Sequence, residues 1–210
     1  MTKHLDELIA RYPTLSVCRE DIAAAAEVLC TSYRLGGKLL VCGNGGSAAD
    51  SEHIVGELMK GFLLARPVDG SLREKLLAAY PDEGDYLADN LQGALPAISL
   101  VSHSALSTAF SNDIAPDMVF AQQVFGYGKP GDVFLGISTS GNAANVLHAA
   151  QVAKARGMVA VGLTGRSGGK MAGACDICIR VPADSTPHVQ EYHLPVYHAL
   201  CSMVEQTFFG

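Results

Sequence analysis

Charge is scarce in this chain of 210 residues: only 17% are Asp, Glu, Lys or Arg, and tryptophan is absent altogether. A sequence so weakly charged and 49% hydrophobic is too apolar to stay disordered. Basic residues are the minority, 15 Lys+Arg against 21 Asp+Glu, which gives a net charge of −6. That balance argues against general nucleic-acid affinity. No apolar run approaches the ~20 residues that span a bilayer. The opening segment MTKHLDELIARYP has no apolar signal core. The expectation is a soluble, cytoplasmic protein with neither membrane nor nucleic-acid partners. Six cysteines sit mostly in apolar segments of a chain too large to need a disulfide scaffold. Cys175 and Cys178 form one CxxC, but no second pair completes a zinc ribbon. The segment CDICIRV runs on as a strand where a redox motif should open a helix, so the pair reads as structural.

Glycine is what the chain has in excess, 22 of 210 residues, against a usual share of about 7%. An acidic protein that binds an anion needs a local device, and glycine-rich loops are one. The length suits one substantial core and is short for two full domains.

Apolar segments of about five residues alternate with helical ones. Strands are expected at Lys38–Gly43, Ala97–Val101, Asp132–Ile137, Val159–Leu163 and Ile177–Val181. Helices are expected at about 3–12, Arg19–Leu35, Ser47–Phe62, Asp117–Phe125, Ala143–Arg156 and Val189–Phe209, the last interrupted by Pro195. This rhythm predicts an α/β fold of parallel βαβ units covered on both faces. Such sheets bind ligands beyond the carboxyl ends of their strands. Val68–Gly93 breaks the rhythm and reads as a charge-rich surface insertion of two short helices.

Two strand-to-helix turns carry anion-binding character. Gly43-Asn44-Gly45-Gly46-Ser47 lets main-chain amides approach an anion, and Ser47 is placed to cap the helix that follows. It fits a dinucleotide fingerprint only in part, because no second strand ending in an acidic residue follows. Ser138-Thr139-Ser140-Gly141-Asn142 adds hydroxyls to the amides of a second helix end. A third glycine-rich segment, Thr164–Lys170, has Thr where Walker A requires Gly and reads as a turn. His53 and Glu57, one turn apart, share a helix face. In the terminal helix Gln190 and His198 project about 80° apart, compatible with one pocket. Taken singly, the His53/Glu57 pair reads first as a solvated helix face, and Gln190 and His198 are equally satisfied polar residues of a packed helix.

Taken in order, CGNGGSAADSEHIVGEL, Asn112-Asp113, ISTSGN, LTGRSGGKMAGACD and TPHVQEYHLPVYH resemble the bacterial phosphoheptose isomerases of the SIS domain superfamily. The resemblance covers nearly the whole chain outside Val68–Gly93. It implies a single three-layer SIS domain over residues 1–210, with a five-stranded parallel sheet between helices. It also implies a homotetramer with active sites between subunits. Residue by residue, it assigns Asn44, Gly45, Gly46 and Ser47 to the loop that lines the sugar phosphate. Ser138, Thr139 and Ser140 match the phosphate turn, and Asn112 and Asp113 match the pair that contacts the sugar chain. His53, Glu57, Gln190 and His198 match zinc-binding positions, with Glu57 and Gln190 also touching substrate. Glu57 and His198 match the base and the acid, and His193 of the QExH motif reads as structural. Many relatives have Ser where this chain has Ala143, and several carry Arg where it has Gly61 beside Lys60.

The implied reaction is ketose–aldose isomerisation of sedoheptulose 7-phosphate through an enediol, with one Zn2+ per subunit as Lewis acid. Two alternatives are an isomerase of another phosphosugar and a non-catalytic SIS protein that acts as a partner in replication control. The second lacks the full acid–base set in relatives, whereas His53, Glu57, Gln190 and His198 are all present here.

Overall fold

The structure, a computed structural model, describes residues 2–210. Five short strands build one sheet: β1 (Leu39–Gly43), β2 (Ala97–Ser99), β3 (Val133–Ser138), β4 (Val159–Thr164) and β5 (Ile177–Arg180). All neighbours pair in parallel, in the order β2-β1-β3-β4-β5. Among the described residues ten α-helices accompany them: α1 (Thr2–Arg11), α2 (Arg19–Arg34), α3 (Gly46–Met59), α4 (Gly70–Ala79), α5 (Gly84–Asn90), α6 (Ser104–Asp113), α7 (Val119–Tyr127), α8 (Ala144–Ala155), α9 (Met171–Ala174) and α10 (Thr186–Phe209).

The three layers follow from strand alternation, which sends successive side chains to opposite faces. Leu39, Val41, Val133, Leu135 and Ile137 pack with α1, α2, α3 and α10. Leu40, Cys42, Phe134 and Ala160 pack on the other face, with α7 and α8. Because both faces are covered, β1 and β3 are buried along their whole length. That is why these strands read as unbroken apolar runs rather than alternating ones.

The sequence-based boundaries need four corrections. α6 was not anticipated: it buries no residue, so it shows no apolar stripe to read. A 3-10 turn at Pro13–Cys18 was likewise missed. α10 starts at Thr186 and runs through Pro195 without ending. Ser47 does not cap α3; Gly45, at φ 57°, precedes the helix, and Ser47 is buried in its first turn. The insertion forms α4 and α5, which pack on each other. An antiparallel bridge between Pro67 and Gln92 closes its base. α4 buries none of its residues.

Candidate active site

Strand order 2-1-3-4-5 reverses direction between β1 and β3, and the crevice at such a switch point is where open α/β sheets bind ligands. The β1–α3 and β3–α8 turns meet there. Asn44 and Asn145 exchange two amide hydrogen bonds of 3.0 Å across the gap. A cleft of about 300 Å3 opens beside them, lined by Asn44, Gly45, Ser107, Ser111 and Asn145 among others. Asn145 escaped the sequence reading, and the only signal for it was its place in the first turn of α8.

The second turn is held from behind. Gly141 adopts φ 65°, and a Cβ on it would collide with the Gly168 main chain. Gly165 N–H donates to Thr139 O at 3.0 Å, and Lys170 N–H donates to Asn142 Oδ1 at 3.0 Å. The Thr164–Lys170 segment is therefore the buttress of the Ser138–Asn142 turn. Ser138 is buried, whereas Ser140 and Asn142 are exposed. Asn142 N–H donates to Ser140 Oγ at 3.2 Å, which turns this hydroxyl over the helix end. Gln190 lies at the same level, because a Cβ on Gly46 would run into its Nε2. Asn112 Nδ2 donates to Asp113 Oδ1 at 2.9 Å at the exposed end of α6.

The ionisable cluster lies further along α3, against α10. His53 Nε2 is 2.9 Å from Glu57 Oε1, and His53 Nδ1 is 3.0 Å from the Tyr197 hydroxyl. Tyr197 in turn donates to Asp50 Oδ1 at 3.2 Å. Lys60 Nζ donates to Glu57 Oε2 at 3.0 Å. The His198 ring stands edge-on to His53, centroids 5.0 Å apart, and Phe62 covers it at 5.3 Å. Burial, and then the neighbouring His53, push His198 below the ordinary imidazole pKa, with Glu57 pulling the other way. Burial raises the Asp50 carboxyl against the opposing pull of Tyr197 and His53. Asp50 and Tyr197 were not singled out from sequence, although Asp50 precedes His53 by three positions and Tyr197 adjoins His198.

His53, Glu57 and His198 therefore come together, and Gln190 of the same chain lies beside Gly46 instead. Eight residues separate Gln190 from His198, ~12 Å along the axis of α10. The 80° projection placed them on one face; the axial rise places them at two levels. The donor types suit zinc, two imidazoles and a carboxylate, and His198 Nε2 is buried without a hydrogen-bond partner. As arranged, His53 Nε2 and Glu57 are bonded to each other. No group of three His, Cys, Asp or Glu among the described residues is set to hold a metal.

Residues 7–76 and 88–165 match the SIS domain family, with the break falling inside the α4–α5 insertion. The chain is 43% identical to a phosphoheptose isomerase of Rhodospirillum rubrum over 92% of this chain and 89% of that one. It is 40% identical to one of Aneurinibacillus thermoaerophilus, over 84% and 76% respectively. The structure of a phosphoheptose isomerase from Neisseria gonorrhoeae superposes with a TM-score of 0.75 at 34% identity, covering 98% of this chain and 96% of that one. One from Francisella tularensis gives 0.76 at 31% identity with the same coverage. With a switch-point cradle, a histidine–glutamate cluster and relatives of this identity along nearly its whole length, the chain belongs to the phosphoheptose isomerases of the SIS domain family.

Proposed function

We propose that the chain interconverts sedoheptulose 7-phosphate and D-glycero-D-manno-heptose 7-phosphate, with Glu57 as base and His198 as acid. The observation that carries this reading is that Glu57 and His198, from two helices, both stand against His53 in a chain whose relatives are phosphoheptose isomerases. Glu57 removes the proton from C1 of the ketose while His198 donates to the carbonyl oxygen at C2, and the enediol forms. His198 then takes the O1 proton, and Glu57 returns its own to C2, which leaves the aldose. An imidazole suits this exchange, because the proton it gives to O2 is replaced by the one it takes from O1, which returns it to its starting state.

Amides, hydroxyls and helix ends at Asn44–Ser47 and Ser138–Ser140 bind the phosphate, which explains how an anion is held without a basic patch. Asn112, Asp113 and Gln190 contact the sugar chain. Zn2+ on His53, Glu57 and His198, once the His53–Glu57 hydrogen bond opens, would supply Lewis-acid polarisation of the substrate oxygens.

The two halves of the site lie well apart along α3 of one chain. Gly46 and Glu57 are eleven residues apart, ~16 Å along α3. Six zigzag C–C bonds of ~1.5 Å and a phosphate ester reach about 10 Å. A phosphate in the cradle therefore leaves C1 short of the level of the Glu57 main chain in the same copy. A homotetramer in which one copy's cradle faces another's Glu57–His198 pair would bridge this distance.

The test is direct: incubate the protein with sedoheptulose 7-phosphate, with and without chelator and added Zn2+, and follow the aldoheptose 7-phosphate. Product under a metal-replete condition is expected. Conversion of other ketose phosphates but not this one moves the reading to a different phosphosugar, and no conversion of any overturns the enzyme.

A further inference from the structure

One fully buried ion pair links the two helices that carry the cluster, and the mechanism above does not use it. Arg66 and Glu205 side chains are 0% and 1% exposed. Arg66 Nε donates to Glu205 Oε1 at 2.8 Å, and Nη2 lies 2.8 Å from the same oxygen. The rest of the guanidinium points at the end of α3: Nη1 donates to Leu58 O at 2.8 Å and Nη2 to Glu57 O at 3.1 Å. Both carbonyls belong to the last turn of α3, whose carbonyls have no partner within the helix. Arg66 therefore closes the helix at the residue that bears the base.

Glu205 secures the other side. Its Oε1 accepts Phe62 N–H and its Oε2 accepts Leu63 N–H, both at 2.8 Å. The Phe62 ring is the one that covers His198. Glu205 also follows His198 by seven residues, two turns, so the two share a face of α10. Phe209 closes the assembly, its ring 4.6 Å from the Arg66 guanidinium carbon. One ion pair thus ties the main chain at Glu57, the ring over His198 and the helix that carries His198.

We propose that Arg66 and Glu205 are positioning residues for the isomerisation, which set the spacing and orientation of Glu57 against His198. A buried ion pair is weak support for stability as such, since an apolar pair of similar volume holds two helices together as well or better. What apolar side chains cannot do is bond the Glu57 and Leu58 carbonyls and the Phe62 and Leu63 amides together. Fixing that geometry is the pair's distinct contribution, and a misplacement of ~1 Å in a catalytic group costs about 100-fold in rate.

This inference rests on Glu57 and His198 carrying the proton transfers, so the experiment has two arms. Turnover of sedoheptulose 7-phosphate is measured for Glu57→Gln and for the double variant Arg66→Met/Glu205→Leu. Circular dichroism and thermal melting establish folding. The double variant is expected to stay folded, to lose about 10–100-fold in kcat and to keep KM within about twofold, because the phosphate cradle lies at the other end of α3. Should it fail to fold, Arg66→Lys takes its place. Lysine keeps the charge opposite Glu205, but one ammonium cannot serve the carboxylate and both carbonyls, and the same loss in kcat at unchanged KM is expected. A folded variant with wild-type kcat, while Glu57→Gln is inactive, overturns the positioning role alone. A Glu57→Gln variant with wild-type turnover overturns the catalytic reading beneath it.

Discussion

Replacing Glu57 by glutamine isolates the base from the scaffold. The side chain is 12% exposed, fixed by His53 on one oxygen and by Lys60 on the other. Glutamine keeps the shape and one acceptor, so His53 retains a partner while the Lys60 ammonium faces an amide. Lys60 is 59% exposed and its ion pair is largely screened, so the loss of stability is expected to stay within about 1 kcal/mol. Catalysis is affected far more. An amide takes up no proton at neutral pH, and loss of a positioned base costs about 100- to 10,000-fold, or ~3–5 kcal/mol in the barrier. Stopped incubations with sedoheptulose 7-phosphate, analysed by chromatography, give the rate; calorimetry gives phosphosugar binding. The expected result is near-complete loss of turnover with binding within a few-fold of wild type. Turnover near the wild-type rate would refute the base assignment, and lost binding with an intact fold would place Glu57 in substrate affinity instead.

Three further outcomes are expected. Gly141→Ala puts a Cβ into the Gly168 main chain at a left-handed residue, a strain of ~1–2 kcal/mol; it should lower the melting temperature and raise KM several-fold, and unchanged KM would detach this turn from phosphate binding. His193 is fully buried, and burial lowers its pKa to about 4, against a smaller opposing pull from the Thr164 main chain. Its folded pKa lies below the unfolded ~6.5, so the unfolded chain binds the proton first and stability falls as pH drops from about 6.5 to 4, by roughly 3 kcal/mol. Denaturant melts across that window should show the slope in the wild type and a flatter one in His193→Leu; equal slopes would exclude the residue. Replacing residues 70–91 with a two-residue turn should leave the melting temperature within a few degrees, because α4 buries nothing and Pro67 and Gln92 already meet at the base; a collapse of the fold would show that the hairpin supports the domain.

Legibility in the sequence followed burial. β1 and β3 announced themselves because both faces of the sheet are covered, and a doubly covered strand can only be apolar. α6 did not, because a helix that buries no residue has no stripe to recognise. The two turns at the switch point were readable because a chain reversal with free amides demands glycine and hydroxyl residues locally. Tyr197, Asp50, Arg66 and Glu205 were not, since each acts through a partner far away in the chain: 144 positions separate His53 from Tyr197 and 139 separate Arg66 from Glu205.

The order of motifs along the chain was enough to determine the family and the α/β class, and it named candidates for holding a phosphate and moving a proton, because turn chemistry and strand burial are local properties. Only the tertiary structure decided which of them act together. It brought His53, Glu57 and His198 to one place and left Gln190 beside Gly46, because α3 and α10 lie side by side and each residue's rise along its helix sets its level. Angular spacing on one helix is written in the sequence, whereas the register between two helices is set by their packing.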